Sequence, residues 1–215
     1  ENLMTHAPLS ELMRQHELDF FAPADCAPAA RPLGRARLLI LACSSSKAEG
    51  DGLAARDRYT GPLWQTLKAA DPDGSLAHVA FLSARYGFGH ARDPLPHYNT
   101  VLTAKTADTM IERGLGGFYP NYDLSFRTQG ARDRHLANRE RLRTAGGVIA
   151  RLVREAGCAF EDVAICGGKE YVRVAEAFVS EMTDHNFIAG GATVTIINDQ
   201  IGYMRAKLRR WLSEH

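Results

Sequence analysis

The feature that most constrains the fold of this chain is a set of four short, continuous apolar runs. Each run has the length of a β-strand, is rich in Val, Ile, Leu or Phe, and leads into a polar or glycine-containing stretch. The runs cover residues 36–43, 78–83, 162–166 and 193–198. Because their apolar character is continuous rather than alternating, we expect strands that are covered on both faces, as in a parallel sheet between helices.

Helical periods occupy the segments between these runs. Apolar residues recur at helical spacing in residues 61–70, 131–156 and 171–183. Gly146 and Gly147 each weaken a helix by about 1 kcal/mol, so a break is expected in the second of these segments. Strands that alternate with helices predict a single α/β domain, with a mostly parallel sheet of at least four strands between helices and a helical insertion.

The expected domain boundaries follow from where this pattern starts and stops. Residues 1–36 contain several prolines and only weak periodicity, which indicates an N-terminal extension with one short helix around residues 9–21. Residues 37–215 are expected to form the α/β domain. Within it, residues 103–129 contain three glycines and a proline and are expected to form an insertion, one short helix followed by a loop.

Composition excludes several classes of protein. With 45% hydrophobic and 24% charged residues among 215, the chain is neither disordered nor collagen-like. No apolar run approaches the roughly 18 residues of a membrane-spanning helix, so we expect no membrane partner. The four cysteines form no CxxC pair, which predicts reduced thiols, a cytoplasmic location and no metal site. They are Cys26, Cys43, Cys158 and Cys166. The GxGxxG dinucleotide fingerprint is also absent, and we expect no cofactor.

Positive charge is concentrated late in the chain. Overall, 26 Lys and Arg face 25 Asp and Glu, which by itself indicates no polyanionic partner. Residues 125–155, however, carry eight arginines against three acids, and residues 201–215 carry four basic residues against one acid. Arg205 and Arg209 lie four apart on one helix face and are the candidate nucleic-acid contacts. The same residues would also suit ordinary solvated helix faces.

In an open parallel sheet, ligands bind beyond the carboxyl ends of the strands. The sequence places polar or glycine residues directly after all four apolar runs. We therefore predict that these four groups meet at one edge of the sheet. They are Cys43, Ser44, Ser45, Ser46 and Lys47 after the first run; Ser83, Arg85, Tyr86 and Gly87 at the second; Gly167, Gly168, Lys169 and Glu170 after the third; and Asn198 and Asp199 at the fourth.

The serine run with its terminal lysine suits an anion. Three hydroxyls, the exposed backbone N–H groups and the cation of Lys47 could hold a phosphate or a carboxylate. The segment is not a Walker loop, because GxxxxGK[ST] is absent. The alternative is a helix cap with a solvated lysine. Cys43 is a candidate ligand contact, and only secondarily a nucleophile, because small buried cysteines are common at strand ends.

The third group contains the candidate catalytic acid. Gly167 and Gly168 let the backbone approach a ligand closely. Glu170 is then either a general base, a carboxylate that holds a ribose hydroxyl or base edge, or simply an acid that complements the start of a helix. Asp199 is the second candidate for activating a water molecule.

Several tyrosines and cations accompany these groups. Tyr59, Tyr86, Tyr98 and Tyr171 could stack on a nucleobase, although a half-buried packing role is the more common one for any single tyrosine. Together with Arg56, Arg85 and Lys169, they favour a nucleotide-like ligand.

The order of several motifs resembles a family of bacterial domains related to the peroxide-stress protein YaaA. The motifs are LLILACSSSK, ARDRYTGPLW, FLSARYGF, DPLPHYNTVL, ICGGKEYVRVA and IGYMRAKLRRWL. The most specific element is LSxxYG followed about ten residues later by PxY, which Ser83, Tyr86, Gly87, Pro96 and Tyr98 match.

This resemblance implies a mixed α/β fold with a basic cleft and DNA binding linked to oxidative DNA damage. The cleft would lie between the LSxxYG element and Ser44–Lys47, where CSSSK replaces the family's proline-containing loop. The expected function is therefore that of a nucleotide- or nucleic-acid-binding protein, with a nucleotide or DNA as its partner. The alternative is an enzyme that hydrolyses a nucleotide or the N-glycosidic bond of a nucleobase in DNA, using Glu170 or Asp199.

Overall fold

The computed structural model describes residues 35–119 and 143–214. The helix expected around residues 9–21, the start of the 131–156 segment and the end of the expected insertion lie outside these ranges. So do Cys26 and five of the eight arginines of residues 125–155.

A five-stranded sheet forms the centre of the described fold. Along the sheet the strand order is β3-β2-β1-β6-β7. The neighbouring pairs are parallel except for β2 and β3, which are antiparallel. The five strands are β1 Arg37–Ala42, β2 His78–Ser83, β3 Gly87–His90, β6 Phe160–Cys166 and β7 Ile188–Ile197. A separate two-stranded ladder joins β4 Phe118–Tyr119 to β5 Arg143–Thr144.

Helices cover both faces of the sheet. Helices α2 and α6 pack on one face, and α3, α4 and α5 pack on the other. All six residues of β1 are buried, with Leu39 and Leu41 facing the first layer and Leu38 and Ile40 the second. The predicted α/β domain with a mostly parallel sheet between helices is therefore confirmed. The helices are α1 Ala55–Arg58, α2 Pro62–Ala70, α3 Ala104–Arg113, α4 Ala145–Ala156, α5 Lys169–Asp184 and α6 Ile201–Ser213, and a 3-10 turn, Gly114–Gly116, follows α3.

The sequence reasoning missed the antiparallel edge strand β3. Its sequence, GFGH, contains two glycines and resembles a turn more than a strand. The glycines have structural roles: Gly87 has a φ of 59°, and a Cβ atom on Gly89 would lie 2.2 Å from Cζ of Phe81. The absence of a side chain at Gly89 therefore lets the Phe81 ring pack against the neighbouring strand.

Helix α4 explains the paired glycines. It starts at Ala145, so Gly146 and Gly147 lie in its first turn rather than at a break within it. The Thr144 hydroxyl accepts a hydrogen bond from the backbone N–H of Gly147 at 3.0 Å and caps the helix. The helix ends at Ala156 and is followed by Gly157, which has a φ of 75°.

Three negative findings concern the described residues only. No helix among them combines the length and the apolar character needed to cross a bilayer. No three of their His, Cys, Asp and Glu side chains are grouped so that they could hold a metal ion. Cys43 and Cys166 form no disulfide within the described residues.

Candidate functional site

The carboxyl ends of β1, β2, β6 and β7 lie at one edge of the sheet, because these four strands are mutually parallel. The prediction that Ser44, Ser83, Gly167 and Asn198 share an edge is therefore confirmed. Backbone hydrogen bonds extend the pairing past the strand ends, from Cys43 N–H to the Leu82 carbonyl at 2.8 Å and from Gly167 N–H to the Ile197 carbonyl at 3.2 Å. This edge is called the carboxyl edge below.

The side chain of Lys47 folds back over the carboxyl edge. Its Nζ donates a hydrogen bond to the Ser44 carbonyl at 2.7 Å and lies 4.3 Å from the centroid of the Tyr98 ring. Its backbone forms an isolated antiparallel bridge with Tyr59. Burial lowers the pKa of Lys47, and the nearby Cys43 opposes that effect. The ammonium group is therefore partly desolvated and held at the site, which increases its attraction for an anion.

A chain of buried hydroxyl groups lies beneath Lys47. Ser83 Oγ donates to the Tyr98 hydroxyl at 2.8 Å, and the Tyr98 and Tyr59 hydroxyls are 2.6 Å apart. Ser83 Oγ in turn accepts from the backbone N–H groups of Arg85 and Tyr86, both at 3.2 Å. Burial raises the pKa of Tyr59 and of Tyr98, so both phenols stay protonated at neutral pH.

The tyrosines predicted to stack on a base are mostly buried. Tyr59 is 0% exposed, Tyr98 5% and Tyr86 9%, and the Tyr86 and Tyr98 rings meet edge to face at 5.1 Å. The Arg85 guanidinium lies 5.7 Å from the Tyr86 ring centroid. Tyr59 and Tyr98 therefore support Lys47 from below and do not present an open ring face for stacking.

Cys43 is half-buried beside the same cluster. Its Sγ lies 3.1 Å from the hydroxyl of Tyr171, a residue in the first turn of α5. Burial, reinforced by Cys43, raises the pKa of Tyr171, so the phenol remains a hydrogen-bond donor. This contact connects the loop after β1 to the helix after β6.

Three helices that begin at the carboxyl edge have no side-chain cap. The residues before α2 and α5 are Gly61 and Gly168, which have no side chain. The residue before α6 is Gln200, whose side chain accepts no hydrogen bond from a helix N–H. By contrast, Thr103 and Thr144 cap α3 and α4. Uncapped first-turn N–H groups carry partial positive charge and suit an anion.

Gly61 is a site residue that the sequence reasoning missed. A Cβ atom at this position would lie 2.2 Å from Oγ of Ser44, so the absence of a side chain lets the serine loop pack against the start of α2. The signal was present as the Gly-Pro pair that opens α2. Gly167 is similarly confined, because its Cβ would lie 2.7 Å from Cβ of Ala42.

Both candidate catalytic carboxylates, Glu170 and Asp199, form ion pairs with basic side chains. Glu170 Oε2 lies 3.4 Å from Nε of Arg173, within α5. Asp199 Oδ2 accepts from Lys207 Nζ at 3.0 Å, and Oδ1 accepts from the Gln200 N–H at 2.7 Å. The Lys207 hydrogen bond, helped by that of Gln200, lowers the pKa of Asp199, which makes it a weaker base.

Arg56 is not brought to the carboxyl edge. The backbone N–H of Arg56 donates to the Ala91 carbonyl at 2.8 Å. The backbone N–H of Ala91 donates in turn to the carbonyl of Val79, the second residue of β2. The Arg56 guanidinium donates to the carbonyl of Asp71, the residue after α2. Arg56 thus lies near the start of β2, at the opposite edge from Lys47, because the α1 backbone is anchored to the segment after β3.

Arg205 and Arg209 lie on the side of α6 that faces α2. Arg205 Nε donates to Thr66 Oγ1 at 3.0 Å, and Arg209 lines a cavity between the two helices with Ala69 and Leu76. Lys169 and the serines at positions 45 and 46 are exposed, at the carboxyl edge itself.

Comparison of the chain with known protein families, curated proteins and solved structures finds no match.

Proposed function

We propose that the carboxyl edge binds the phosphate group of a nucleotide or of a nucleic acid. The observation that carries this proposal is the position of Lys47, whose partly desolvated ammonium group is held over Tyr98 beside the serine loop. The motif resemblance to YaaA-related domains agrees with this class of ligand.

The charge and donor pattern of the edge supports a phosphate more than a neutral ligand. An ammonium group has three donors, and that of Lys47 donates to the Ser44 carbonyl at 2.7 Å and, more weakly, to the Ser45 carbonyl at 3.5 Å, which leaves one donor for a ligand. The uncapped starts of α2 and α5 add backbone N–H groups, and the Ser45 and Ser46 side chains are exposed. Phosphate accepts several such donors at once.

The buried tyrosines change the expected role of the aromatic residues. In this proposal Tyr59 and Tyr98 position the lysine, and exposed polar groups contact the ligand. Arg85 and Lys169 flank Lys47 on neighbouring strand ends and are the further cationic contacts. The recognised element is thus the phosphate, and contributions from the base are secondary.

The test is the affinity of the wild-type protein and a Lys47→Gln variant for the four 5′-mononucleotides, a single-stranded oligonucleotide and a duplex, measured by calorimetry. A charge-assisted contact predicts a loss of about tenfold or more in the variant. Arg154→Gln removes one exposed positive charge at the end of α4 and is the matched control, with affinity expected within about twofold.

Salt dependence distinguishes the two ligand classes. On a duplex, the log–log slope of affinity against salt is about 0.9 per phosphate neutralised, so a steep slope indicates a nucleic-acid backbone and a shallow one a single phosphate. The proposal would be contradicted if the wild-type protein bound no member of the panel at low salt. It would also be contradicted if the Lys47→Gln variant bound with unchanged affinity.

A further inference from the structure

The end of the sheet opposite the carboxyl edge contains a small polar cavity. It opens near the start of β2, and its volume is about 40 Å³. Its lining includes Arg56, His78, His90, Arg92 and Glu155. This volume suits about three water molecules or one tetrahedral oxyanion, since a single water needs roughly 10–15 Å³.

Two guanidinium groups converge on one point at the rim of this cavity. A Cβ atom on Gly74 would lie 3.2 Å from Nη1 of Arg56 and 3.5 Å from Nη2 of Arg92. Gly74 has a φ of 73°, which favours glycine, and both guanidinium groups approach the side of this residue on which other amino acids carry Cβ. Both arginines line the same small cavity, so their like charges repel each other there, and an anion between them would offset this repulsion.

The acidic groups nearby already have partners. Glu155 Oε2 is 2.9 Å from His90 Nε2, and its Oε1 accepts from Arg151 Nε at 3.1 Å. Arg151 Nη1 also bonds to Asp93 at 2.8 Å, and Arg143 pairs with the other oxygen of Asp93. The charges of these two acids are therefore offset by two arginines that do not line the cavity.

Two further carboxylates of this region, those of Asp71 and Asp73, lie outside the cavity lining. Asp73 is exposed, and its Oδ1 accepts from the backbone N–H and the hydroxyl of Ser75. Asp71 is 0% exposed. Its Oδ1 accepts from the backbone N–H groups of Ser75 and Leu76, while its backbone carbonyl accepts from Arg56. That last contact fixes Arg56 through Nη2, while its Nη1 lies beside Gly74.

The histidines complete the lining with fixed hydrogen-bond roles. His90 Nδ1 accepts from the backbone N–H of Arg92 at 2.9 Å, so the proton of the neutral ring resides on Nε2, toward Glu155. The same contact fixes the backbone of Arg92 beside the cavity. His78 is half-buried at the first position of β2 and is available as a neighbouring donor.

We propose that this cavity is a second anion site, which binds a phosphate group between Arg56 and Arg92. The planar guanidinium forks suit the oxygen geometry of a phosphate better than that of a halide. The site is spatially separate from the carboxyl edge, because its lining includes His78 at the first position of β2 and His90 at the last position of β3, both at the opposite end of the sheet.

The test uses inorganic phosphate as the probe and His78 as the reporter. All titrations use a Lys47→Gln background, which removes the cation of the other proposed site. Calorimetry is expected to give one phosphate per chain, and the imidazole NMR signals of His78 are expected to shift with the same midpoint. Adding Arg92→Gln or Arg56→Gln is expected to weaken binding by about tenfold or more and to remove the His78 shift.

Controls separate a specific site from general charge effects. Arg154→Gln removes a nearby exposed charge that does not line the cavity, and binding within twofold of the background is expected. Ribose 5-phosphate serves as the second probe. If it binds, the site accepts phosphate monoesters. If inorganic phosphate binds and ribose 5-phosphate does not, the site is specific for the free ion. An unshifted His78 with both probes, or a shift that survives both arginine substitutions, would overturn the proposal.

Discussion

The hydroxyl groups of Tyr59 and Tyr98 lie 2.6 Å apart beneath the carboxyl edge, and Ser83 Oγ donates to the same Tyr98 oxygen at 2.8 Å. Tyr98 therefore joins the end of β2 to the end of α1 through a single atom. The Lys47 ammonium group packs on the ring of the same residue, so the position of the cation depends on this buried junction.

Tyr98→Phe is expected to destabilise the protein by about 1–3 kcal/mol, because it leaves the buried hydroxyls of Ser83 and Tyr59 without their partner. Urea denaturation measures the free energy of unfolding. Tyr203→Phe is the control, since Tyr203 is 63% exposed, and a change within about 0.5 kcal/mol is expected. Equal stability of the two variants would mean that the hydroxyl chain contributes nothing.

Gly61→Ala is expected to destabilise the protein by about 1–3 kcal/mol, because the added Cβ would overlap Ser44 Oγ. The double variant with Ser44→Gly removes the colliding atoms and should recover most of the loss. Gly202→Ala, on α6, adds a Cβ that meets nothing within 4 Å and should leave stability unchanged or raise it by up to about 1 kcal/mol. If the loss of stability in the double variant equalled the sum of the losses in Gly61→Ala and Ser44→Gly, the two residues would not collide as proposed.

Cys166 is expected to resist alkylation in the native protein at pH 8, while Cys43 reacts. Burial raises the pKa of Cys166 from 9.0 to about 12, whereas Cys43 is half-buried. As pH rises from about 9 to 12, the unfolded thiol ionises before the folded one, so this residue makes stability fall across that window. Mass spectrometry after timed iodoacetamide treatment measures both rates, and equal native rates would contradict the burial argument.

Glu170→Gln is expected to cost only about 0.3–1 kcal/mol and to leave nucleotide affinity unchanged, because Glu170 pairs with Arg173 and complements the start of α5. The hydrolase alternative makes a different prediction, a loss of roughly 10² to 10⁴-fold in rate with binding retained. Chromatography of released base or sugar from nucleotides and modified oligonucleotides distinguishes them. Asp199→Asn, tested in parallel, covers the second candidate base.

The centre of the fold could be predicted because β1, β2 and β6 are mostly buried on both faces. The expectation fails at the edge strand β7, most of whose residues are half-buried or exposed. The continuous apolar run at residues 36–43 corresponds to β1, Arg37–Ala42, and the parallel pairing predicted from it places the strand-end residues together. The edge strand β3 could not be predicted in the same way. Its existence depends on Phe81 packing over Gly89, a contact between strands that no local periodicity reveals.

The candidate site, like the fold, could be predicted only in part from the sequence. Topology alone predicted the shared edge of Ser83 and Gly167. The inward fold of Lys47 depends on the Tyr98 ring, which is distant in sequence, and so required the structure. Arg56 was expected beside Tyr59, yet backbone hydrogen bonds to the segment after β3 direct it to the opposite edge.

The short helix α1 connects the two proposed anion sites along the chain. Its start is held by the Asp93 and Ala91 carbonyls, and its end by the pairing of Tyr59 with Lys47. A four-residue helix rises only about 6 Å. Arg56 and Tyr59, which lies beneath Lys47, are thus joined by a single helical turn, so the cations of the two proposed anion sites are close along the chain although they lie at opposite ends of the sheet.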